Sequence, residues 1–372
     1  MTPNKVFIFG YARTPFGKFQ GIFKDVSARD LGAAAVREAI IRAGVPVTNI
    51  DAVYFGNALQ ARGGQNPARQ ILLAAGIPET AAAETINKVC SSSLAALAHG
   101  LREIQDGHAT YVVVGGVESM STAPFLNEDG LSDAYGEHKS MGELAEIFAQ
   151  DKKISRADQD AWAIRSNARA YAAMQNNILK KEIIPFELKG KIFETDECVR
   201  ESAPEKIKSL PPIFDASTGM ITAASASKIC DGAAALVLGG ENARELFSAE
   251  PLARVVDVVS FSTRPAEYTG APVGAIRKLL EKNNLRVEEI DAFEIHEAFA
   301  ATACFAVREL GISEARVNIF GGALAIGHPL ATSGARLVGS LALRIARAEC
   351  TRAIAVTCNG GGEAVAALLE KI

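Results

Sequence analysis

Ile86-Asn87-Lys88-Val89-Cys90-Ser91-Ser92-Ser93-Leu94-Ala95-Ala96-Leu97 is the stretch around which the rest of the sequence is organised. A polar turn places one cysteine directly before small residues typical of a helix, and serine or asparagine side chains there can cap that helix. Cys90 then lies at the positive end of the helix, where free backbone N–H groups favour a thiolate and can hold an oxyanion. The alternative from this stretch alone is a small buried hydrophobic residue, the usual role of a free cysteine.

The composition is that of a folded chain with a large core. The 372 residues suffice for two or three domains, and 48% are hydrophobic and 22% charged. The net charge of −4 argues against a general nucleic-acid or membrane-surface protein. The first residues lack the layout of a signal peptide, and no apolar run reaches membrane-spanning length. Six scattered cysteines without a CxxC pair predict a reduced, cytoplasmic protein with neither a disulfide framework nor a zinc site.

The first 120 residues alternate between strand-like and helix-like segments. Val6–Phe9, Ala52–Phe55 and Tyr111–Val114 are short apolar runs that predict strands. Ala28–Ala43 and Ala68–Ala75 have the apolar spacing of helices and end before glycine and proline. Unbroken β-branched runs separated by helices predict buried parallel strands.

A polar segment with several prolines covers residues 121–212 and predicts an inserted loop or lid domain. Within it, residues 151–210 contain 12 Lys/Arg and 10 Asp/Glu, a mild positive excess that suits an anionic ligand, although a solvated helical face has the same composition. The α/β alternation returns afterwards. We therefore expect an N-terminal half formed by residues 1–120 and 213–245, and a C-terminal half formed by residues 246–372.

The two halves resemble each other in sequence. Thr48–Val53 is similar to Glu288–Phe293 at an offset of 240 positions (291 − 51). The same offset takes Cys90 to within two residues of His328 (90 + 240 = 330). A duplication of one α/β plan would place both residues at equivalent helix starts. Cys358 follows a predicted strand end, where open α/β sheets place their sites.

Three residues outside the opening stretch carry chemistry in suitable settings. His328 lies in a glycine–proline turn before a helix, where it can take a thiol proton or donate to a carbonyl, and a plain surface histidine is the alternative. Cys358 precedes a glycine run, which lets backbone approach a substrate while a thiol acts as acid or base. His296 is followed by Glu297, but the HExxH zinc motif is excluded because the second histidine is missing. A hydrogen-bonded core histidine is the alternative there.

Taken together, these segments resemble the thiolase superfamily along nearly the whole chain. Five motifs in the right order carry the resemblance: Gly64–Gln70, Asn87–Ser92, Gly116–Ser121, Gly321–Arg336 and Cys358–Gly361. The first is similar to a family segment near the dimer contact, the second to the nucleophile motif and the last to a C-terminal CxGG motif. The resemblance implies two duplicated α/β halves in a layered αβαβα core, assembled as a homodimer or homotetramer.

The resemblance also implies a role for each candidate site residue. Cys90 attacks a thioester and carries the acyl group, His328 activates it and contributes to a first oxyanion hole, and Cys358 moves a proton of the acetyl-CoA methyl group. Backbone N–H groups of Cys90 and Gly360 form a second oxyanion hole. The positions that match the family's pantetheine and acyl pocket are Ser227, Met141, Ala298 and Phe299. Acetyl-CoA and acyl-CoA are then substrates, without a permanently bound cofactor, a metal, a nucleic acid or a membrane partner.

His296 departs from the usual family pattern. Most members have an asparagine that fixes a water in the first oxyanion hole, and an imidazole can do the same or donate directly to the thioester oxygen. The HEAF pattern and Phe320 are similar to trifunctional-enzyme thiolase subunits, whereas the short insertion and Ser140, where many members have histidine, are not.

The expected activity is thiolysis of 3-ketoacyl-CoA or Claisen condensation to acetoacetyl-CoA, with chain length open. A ketoacyl or hydroxymethylglutaryl-CoA-type synthase is an alternative against which Cys358 argues. An inactive lipid-carrier paralogue is a second alternative, and the presence of all four candidate thiols and imidazoles argues against it.

Overall fold

The computed structural model describes residues 4–136, 138–246 and 250–372. The expectation about a signal peptide concerns in part residues 1–3, which lie outside the described residues. The strands are β1 (Val6–Arg13), β2 (Gly17–Lys18), β3 (Ala52–Gly56), β4 (Ala82–Ile86), β5 (Tyr111–Glu118), β6 (Phe186–Leu188), β7 (Lys191–Phe193), β8 (Cys230–Gly240), β9 (Ala253–Ser262), β10 (Ala292–Ile295), β11 (Arg352–Asn359) and β12 (Glu363–Glu370). The helices are α1 (Ala28–Ala43), α2 (Pro67–Ala74), α3 (Ser92–Gln105), α4 (Met141–Asp151), α5 (Arg156–Gln175), α6 (Pro204–Lys208), α7 (Glu241–Leu246), α8 (Ala271–Lys282), α9 (Ala300–Leu310), α10 (Ala323–Ile326) and α11 (Ser333–Ala346).

Local signals explain where several helices begin and end. α1 starts after Ser27, whose side chain accepts the backbone N–H of Asp30, and it stops at Gly44, which has a left-handed φ of 66°. α5 starts with a reciprocal capping box between Ser155 and Asp158. The bounds of α1 are those that the sequence predicted.

The strand order shows the duplication. The main sheet runs β10-β11-β12-β9-β1-β8-β5-β3-β4, so the series β10-β11-β12-β9 has its counterpart in β3-β5-β8-β1. Neighbours β3/β4, β3/β5 and β10/β11 are parallel, which confirms the prediction of parallel strands for β3 and β5. The prediction is wrong for β1, which pairs antiparallel with β8 and β9, and β12 likewise pairs antiparallel with β9 and β11. A tight turn joins β11 to β12, and only antiparallel strands can be connected so briefly.

The helices form layers around the two halves of the sheet. α3 and α11 lie in the middle, and their apolar residues share one core with side chains from both halves. α1 and α2 cover the outer face of the first half, and α8 and α9 that of the second. The mixed α/β fold is therefore confirmed, with the order helix, sheet, helix, sheet, helix. Because α3 and α11 follow Cys90 and His328, this central layer brings both residues to one place.

The segment predicted as an insertion contains α4, α5, the β6–β7 hairpin and α6. A buried ion-pair cluster ties it to the first strand, since Arg13 donates to Glu182 at 2.9 Å and to Asp196 at 2.7 Å. The Arg13 side chain is fully buried, so the loss of either partner would leave an uncompensated charge in the core. The division into 1–120 with 213–245, 121–212 and 246–372 stays a prediction.

Candidate active site

The turn that carries Cys90 is held in a strained backbone conformation. β4 leads into it, and Val89 has a φ of 50°, a left-handed conformation that is unfavourable for a β-branched residue. The backbone N–H of Val89 donates to Asn87 Oδ1 at 3.0 Å, and that of Lys88 donates to Ser92 Oγ at 2.8 Å. These hydrogen bonds fix the thiol-bearing residue directly before α3.

Two expectations for this turn are wrong. Ser91 occupies the N-cap position of α3, but its side chain makes no capping hydrogen bond and instead donates to Asn359 Oδ1 at 2.7 Å. Burial raises the pKa of the Cys90 thiol far above its usual value, and Cys358 and Glu118 add to the effect. Cys90 is therefore a neutral thiol at rest and needs a base to become a nucleophile.

A base lies within reach of that thiol. His328 Nε2 is 3.2 Å from Cys90 Sγ, and His328 Nδ1 is 2.7 Å from Ser333 Oγ. Burial lowers the pKa of His328 to about 3, so its ring is neutral near pH 7. With Nδ1–H donating to Ser333, Nε2 is free to accept the proton of the Cys90 thiol.

His296 adds a second imidazole to this arrangement. Its Nε2 lies 3.3 Å from Nε2 of His328, and the two ring centroids are 4.1 Å apart. Burial, with smaller contributions from His328 and Arg336, lowers the pKa of His296 well below its usual value. Each ring therefore carries one N–H, and His296 can offer its own as a neutral hydrogen-bond donor.

The path of the loop that carries His328 depends on Gly327. Gly327 has φ 115° and ψ 168°, a backbone region that essentially only glycine adopts. A Cβ at this position would lie 2.3 Å from Cys230 Sγ. The backbone N–H of His328 donates to Lys228 O at 2.8 Å. The start of β8 is thus the surface against which the loop is held.

Cys358 lies near the end of β11, and its side chain is buried. Burial raises the pKa of its thiol to about 12. The following turn uses two glycines in left-handed conformations, Gly361 at φ 93° and Gly362 at φ 82°. A Cβ on Gly362 would lie 2.5 Å from Thr263 O, so only glycine fits there. This turn leaves the backbone of Gly360 facing the same space as the Cys358 thiol.

One small cavity joins the residues singled out from the sequence. It has a volume of about 60 Å³, and all of those residues except His296 line it. They are Cys90, His328, Cys358, Gly360, Ser227, Met141, Ala298 and Phe299. His296 is not among the residues that line the cavity, but its Nε2 lies 3.3 Å from Nε2 of His328, which is. Two thiols that are 268 positions apart (358 − 90) therefore face the same space.

Two larger cavities lead away from this space. The adjoining one has a volume of about 350 Å³ and shares Met141, Ser227 and Phe299 with the small cavity. A further cavity of about 260 Å³ contains Arg200, and Lys228 lines both larger cavities. The three cavities therefore lead from the two thiols, through a mostly apolar passage, to a basic region.

Glu118 is a functional candidate that the sequence reasoning quoted in a motif without assigning it a role. It is buried, and burial raises its pKa to about 7. Its carboxylate accepts hydrogen bonds from Asn57 Nδ2 (2.7 Å) and from the backbone N–H groups of Leu59 (2.9 Å) and Ala331 (3.1 Å). It thereby joins the loop after β3 to the loop that follows His328. An acidic residue ending an apolar strand was the available signal.

Two other residues near the site were also missed. Tyr268 lines the small cavity and donates its hydroxyl proton to Met141 O at 2.7 Å. Glu297 accepts hydrogen bonds from Trp162 Nε1 (2.9 Å) and Ser166 Oγ (2.7 Å), so it anchors α5 beside His296. Glu297 therefore holds the structure together rather than serving as a metal ligand.

The described residues contain no cluster of three or more His, Cys, Asp or Glu side chains arranged to hold a metal ion. Among the helices of the described part, none is both long and apolar enough to cross a bilayer.

Duplicated α/β halves that bring two thiols and an imidazole to one cavity define the thiolase class, and comparison with known proteins agrees. The model of the thiolase N-terminal domain matches residues 6–132 and 125–242, and that of the thiolase C-terminal domain matches residues 249–371. The chain belongs to the thiolase family, and the resemblance noted from the sequence is confirmed.

Several relatives match along essentially their whole length. Acetyl-CoA acetyltransferase of Schizosaccharomyces pombe is 37% identical and is covered completely, as is this chain. Mitochondrial acetyl-CoA acetyltransferase B of Xenopus laevis is 39% identical over 100% of this chain and 93% of its own. The crystal structure of Acat5 thiolase from Ascaris suum in complex with coenzyme A superposes with a TM-score of 0.94 at 38% identity, covering 99% of this chain and 100% of that one.

Proposed function

We propose that this thiolase moves acyl groups between acetyl-CoA and a second acyl-CoA through an acyl-enzyme on Cys90. The observation that carries the proposal is the 3.2 Å contact between Cys90 Sγ and the neutral Nε2 of His328, in a cavity that Cys358 also lines. The names of the relatives, acetyl-CoA acetyltransferase, and the coenzyme A bound to the Ascaris suum thiolase support it.

In the thiolysis direction, the first step forms the acyl-enzyme. His328 Nε2 takes the proton of Cys90, and the thiolate attacks the 3-keto carbonyl of the substrate. The Nε2–H group of His296 donates to the resulting oxyanion. The carbon–carbon bond then breaks, and the carbanion of acetyl-CoA takes the proton of Cys358 as it leaves. The raised pKa of Cys358, about 12, suits this role because the group must start as a thiol.

The second step releases the product and restores both thiols. The Cys358 thiolate takes the proton of incoming coenzyme A, whose sulfur attacks the acyl-enzyme carbonyl. Backbone N–H groups of Cys90 and Gly360 hold the oxyanion that forms in this second step. Cys90 leaves as a thiolate and regains its proton from His328. Run in reverse, the same sequence is a Claisen condensation of two acyl-CoA molecules.

The adjoining cavities suit the rest of the coenzyme. The passage of about 350 Å³ is lined by Ser227, Phe214 and Phe299, which suit an amide-containing but mostly apolar arm. Arg200 and Lys206 line the further cavity and would face the anionic phosphates. The small volume at Cys90, about 60 Å³, favours an acetyl group over a long acyl chain.

Labelling of the thiols tests the proposal directly. The protein is incubated with acetyl-CoA, quenched and digested, and the acetylated peptide is identified by mass spectrometry. We expect acetyl on Cys90, no label in Cys90→Ala, and unchanged labelling in Cys304→Ala, a matched partly exposed cysteine outside the cavity. Cys358→Ala should retain labelling yet lose turnover by several orders of magnitude. Label that persists in Cys90→Ala would overturn the assignment.

The remaining expectations are proposals on separate grounds. All six cysteines are free, which supports a reducing compartment, and cytoplasmic location is tested by fractionation because some relatives are mitochondrial. β4 ends the strand order of the main sheet and is partly exposed, which supports a homodimer or homotetramer formed along that edge. Light scattering coupled to size-exclusion chromatography measures the assembly.

A further inference from the structure

The residues that follow the two thiols contact each other. Ser91 comes directly after Cys90, and Asn359 comes directly after Cys358. The Ser91 hydroxyl donates to Asn359 Oδ1 at 2.7 Å, and both side chains are buried, with 0% and 2% exposure. This hydrogen bond therefore joins the turn of the N-terminal half that carries one thiol to the turn of the C-terminal half that carries the other.

The orientation of Asn359 is set by its neighbours. Its Nδ2 donates to Gly360 O at 2.8 Å, and because a carbonyl only accepts, Oδ1 must face Ser91. Thr357 Oγ1 donates to Ser91 Oγ at 2.9 Å, which leaves the serine proton for Asn359. The amide thus fixes the peptide group after Gly360 as well as the serine before α3.

Ser91 makes this contact in place of the capping hydrogen bond that is usual for a serine at a helix N-terminus. A serine at an N-cap usually accepts a backbone N–H of the first helical turn, which stabilises the helix by about 1 kcal/mol. Ser91 makes no such capping bond. The side chain is used instead on a residue 268 positions away (359 − 91).

An ion pair joins the same two turns at their outer side. Lys88 Nζ lies 2.7 Å from Glu363 Oε2, and the other carboxylate oxygen of Glu363 accepts from Ser262 at 3.2 Å. The two charged side chains keep 24% and 30% exposure, so the pair is screened and adds little to the buried contact. The two turns are nevertheless connected by this ion pair as well as by the buried hydrogen bond.

We propose that Ser91 and Asn359 are positioning residues that set the placement of Cys358 relative to the acyl group on Cys90, and so serve the carbon–carbon step far more than acylation. The inference rests on the proposed function. Acylation needs Cys90 and His328, whose loop is held by Lys228 and the start of β8 rather than by Asn359. Acyl transfer also uses Cys358 and the N–H group of Gly360, but a thiol can exchange its proton with water, whereas a carbon-bound proton needs a positioned acid or base. The transfer of a proton to or from the acetyl carbon is therefore the step most sensitive to the register of the two turns.

The test compares Ser91→Ala, Asn359→Leu and the double variant with the wild type. Rapid-quench mass spectrometry measures acetylation of Cys90 by acetyl-CoA, and steady-state kinetics measure thiolysis of acetoacetyl-CoA. We expect acetylation and KM within about threefold of wild type but kcat lower by about 10²-fold, the effect of roughly 1 Å of misplacement. The double variant should lose no more than either single one, since all three remove the same contact.

Ser119→Ala is the matched control. Its hydroxyl donates to Val26 O at 2.8 Å, and the side chain is buried, but it joins neither thiol-bearing turn. In Ser119→Ala, the acetylation rate and kcat should change by the same factor. Circular dichroism and urea unfolding verify that each variant folds, and either single variant suffices for the comparison.

Equal losses of acetylation and kcat in Ser91→Ala and Asn359→Leu, unchanged kcat, or multiplicative losses in the double variant would overturn the positioning role. Wild-type protein that fails to acetylate Cys90 would instead overturn the proposed function. The two failures are therefore distinguishable in one experiment.

Discussion

Replacement of Gly327 by alanine should destabilise the protein and slow acylation, because this glycine sets the path of the loop that carries His328. Its φ of 115° and ψ of 168° belong to a region that costs an alanine about 1–3 kcal/mol. The new methyl group would lie 2.3 Å from Cys230 Sγ. Overpacking of this kind costs about 1–3 kcal/mol more. The expected loss is therefore about 2–6 kcal/mol of the free energy of unfolding.

The steric part of that cost can be removed separately. Cys230 is buried, and its sulfur lies 3.6 Å from Cys198 Sγ, so it has little room to move. Cys230→Ala removes the clashing atom at a cost on the order of 1 kcal/mol. In the double variant Gly327→Ala with Cys230→Ala, the losses should fall short of additivity by about 1–3 kcal/mol. The conformational part of the cost should remain.

Gly76 isolates the conformational part. Its φ is 83°, and nothing lies within 4 Å of where a Cβ would be, so Gly76→Ala introduces backbone strain without a clash. We expect about 1–2 kcal/mol of destabilisation from this control. Urea unfolding gives the free energies, and rapid-quench acetylation gives the effect on chemistry. A displacement of His328 by roughly 1 Å should slow acetylation by about 10²-fold.

Three outcomes would refute this reasoning. If Gly327→Ala destabilises the protein no more than Gly76→Ala does, the contact with Cys230 carries no cost. If Cys230→Ala adds its own loss in full to that of Gly327→Ala, the clash is not the cause. Unchanged acetylation in a destabilised Gly327→Ala would show that the loop path does not position His328.

Three further predictions concern the charged and polar groups of the site. His296→Ala should slow acetylation by about 10²–10³-fold through the loss of an oxyanion donor, whereas His296→Asn should retain most of the rate in the same rapid-quench assay, and equal losses would contradict the donor role. Because burial lowers the pKa of His328 to about 3, the acetylation rate should stay flat from pH 8 to pH 5, and a fall centred near pH 6.5 would contradict a neutral buried base. The pKa of Glu118 is raised to about 7 from 4.5, so the folded state binds the extra proton between these values, and stability should fall as pH rises through this window. Glu118→Gln should remove that slope in urea titrations from pH 5 to pH 8, and an unaltered slope would assign it to another group.

The positions of secondary structure could be read from the sequence where the signals are local. The bounds of α1 match the prediction because Ser27 and Gly44 act within one turn of its ends. Strand direction is different, since β8 and β12 are apolar runs like β5 but return antiparallel beside it and beside β11. An apolar run predicts burial on both faces, whereas its direction depends on where the preceding segment leaves the sheet.

The prediction of a thiolate at Cys90 is wrong because burial shifts the pKa by more than the helix N-terminus does. A helix N-terminus contributes about 0.3–1 kcal/mol, which is less than one pKa unit. Burial in a low-dielectric site shifts a pKa by up to about 3–5 units in the opposite direction. The sequence showed the helix start but could not show that the fold removes the thiol from water and places Cys358 and Glu118 close enough to raise its pKa further.

Eight of the nine candidate residues named from the sequence line one cavity, but their contacts could not be predicted, because neither half of the chain contains the whole cavity. Motifs indicated Cys90 and His328 separately, and duplication suggested that they occupy equivalent places. Which atoms meet is decided by the packing of α3 against α11, which no local signal encodes. The diversion of Ser91 from its helix to Asn359 has the same origin, since the partner lies in the other half.

The charge state of the site before substrate binds follows from the same packing. Burying an ion pair of thiolate and imidazolium costs more than burying the neutral pair, unless every charge finds compensating hydrogen bonds. The site therefore holds Cys90 as a thiol and His328 as a neutral ring, and charge develops only when the proton passes between them over 3.2 Å. In the mechanism proposed above, the negative charge then moves onto the substrate oxygen, for which His296 would supply an N–H without adding a second positive charge. An asparagine would supply such a donor as well, which is why His296→Asn and His296→Ala should differ in rate although both remove the imidazole.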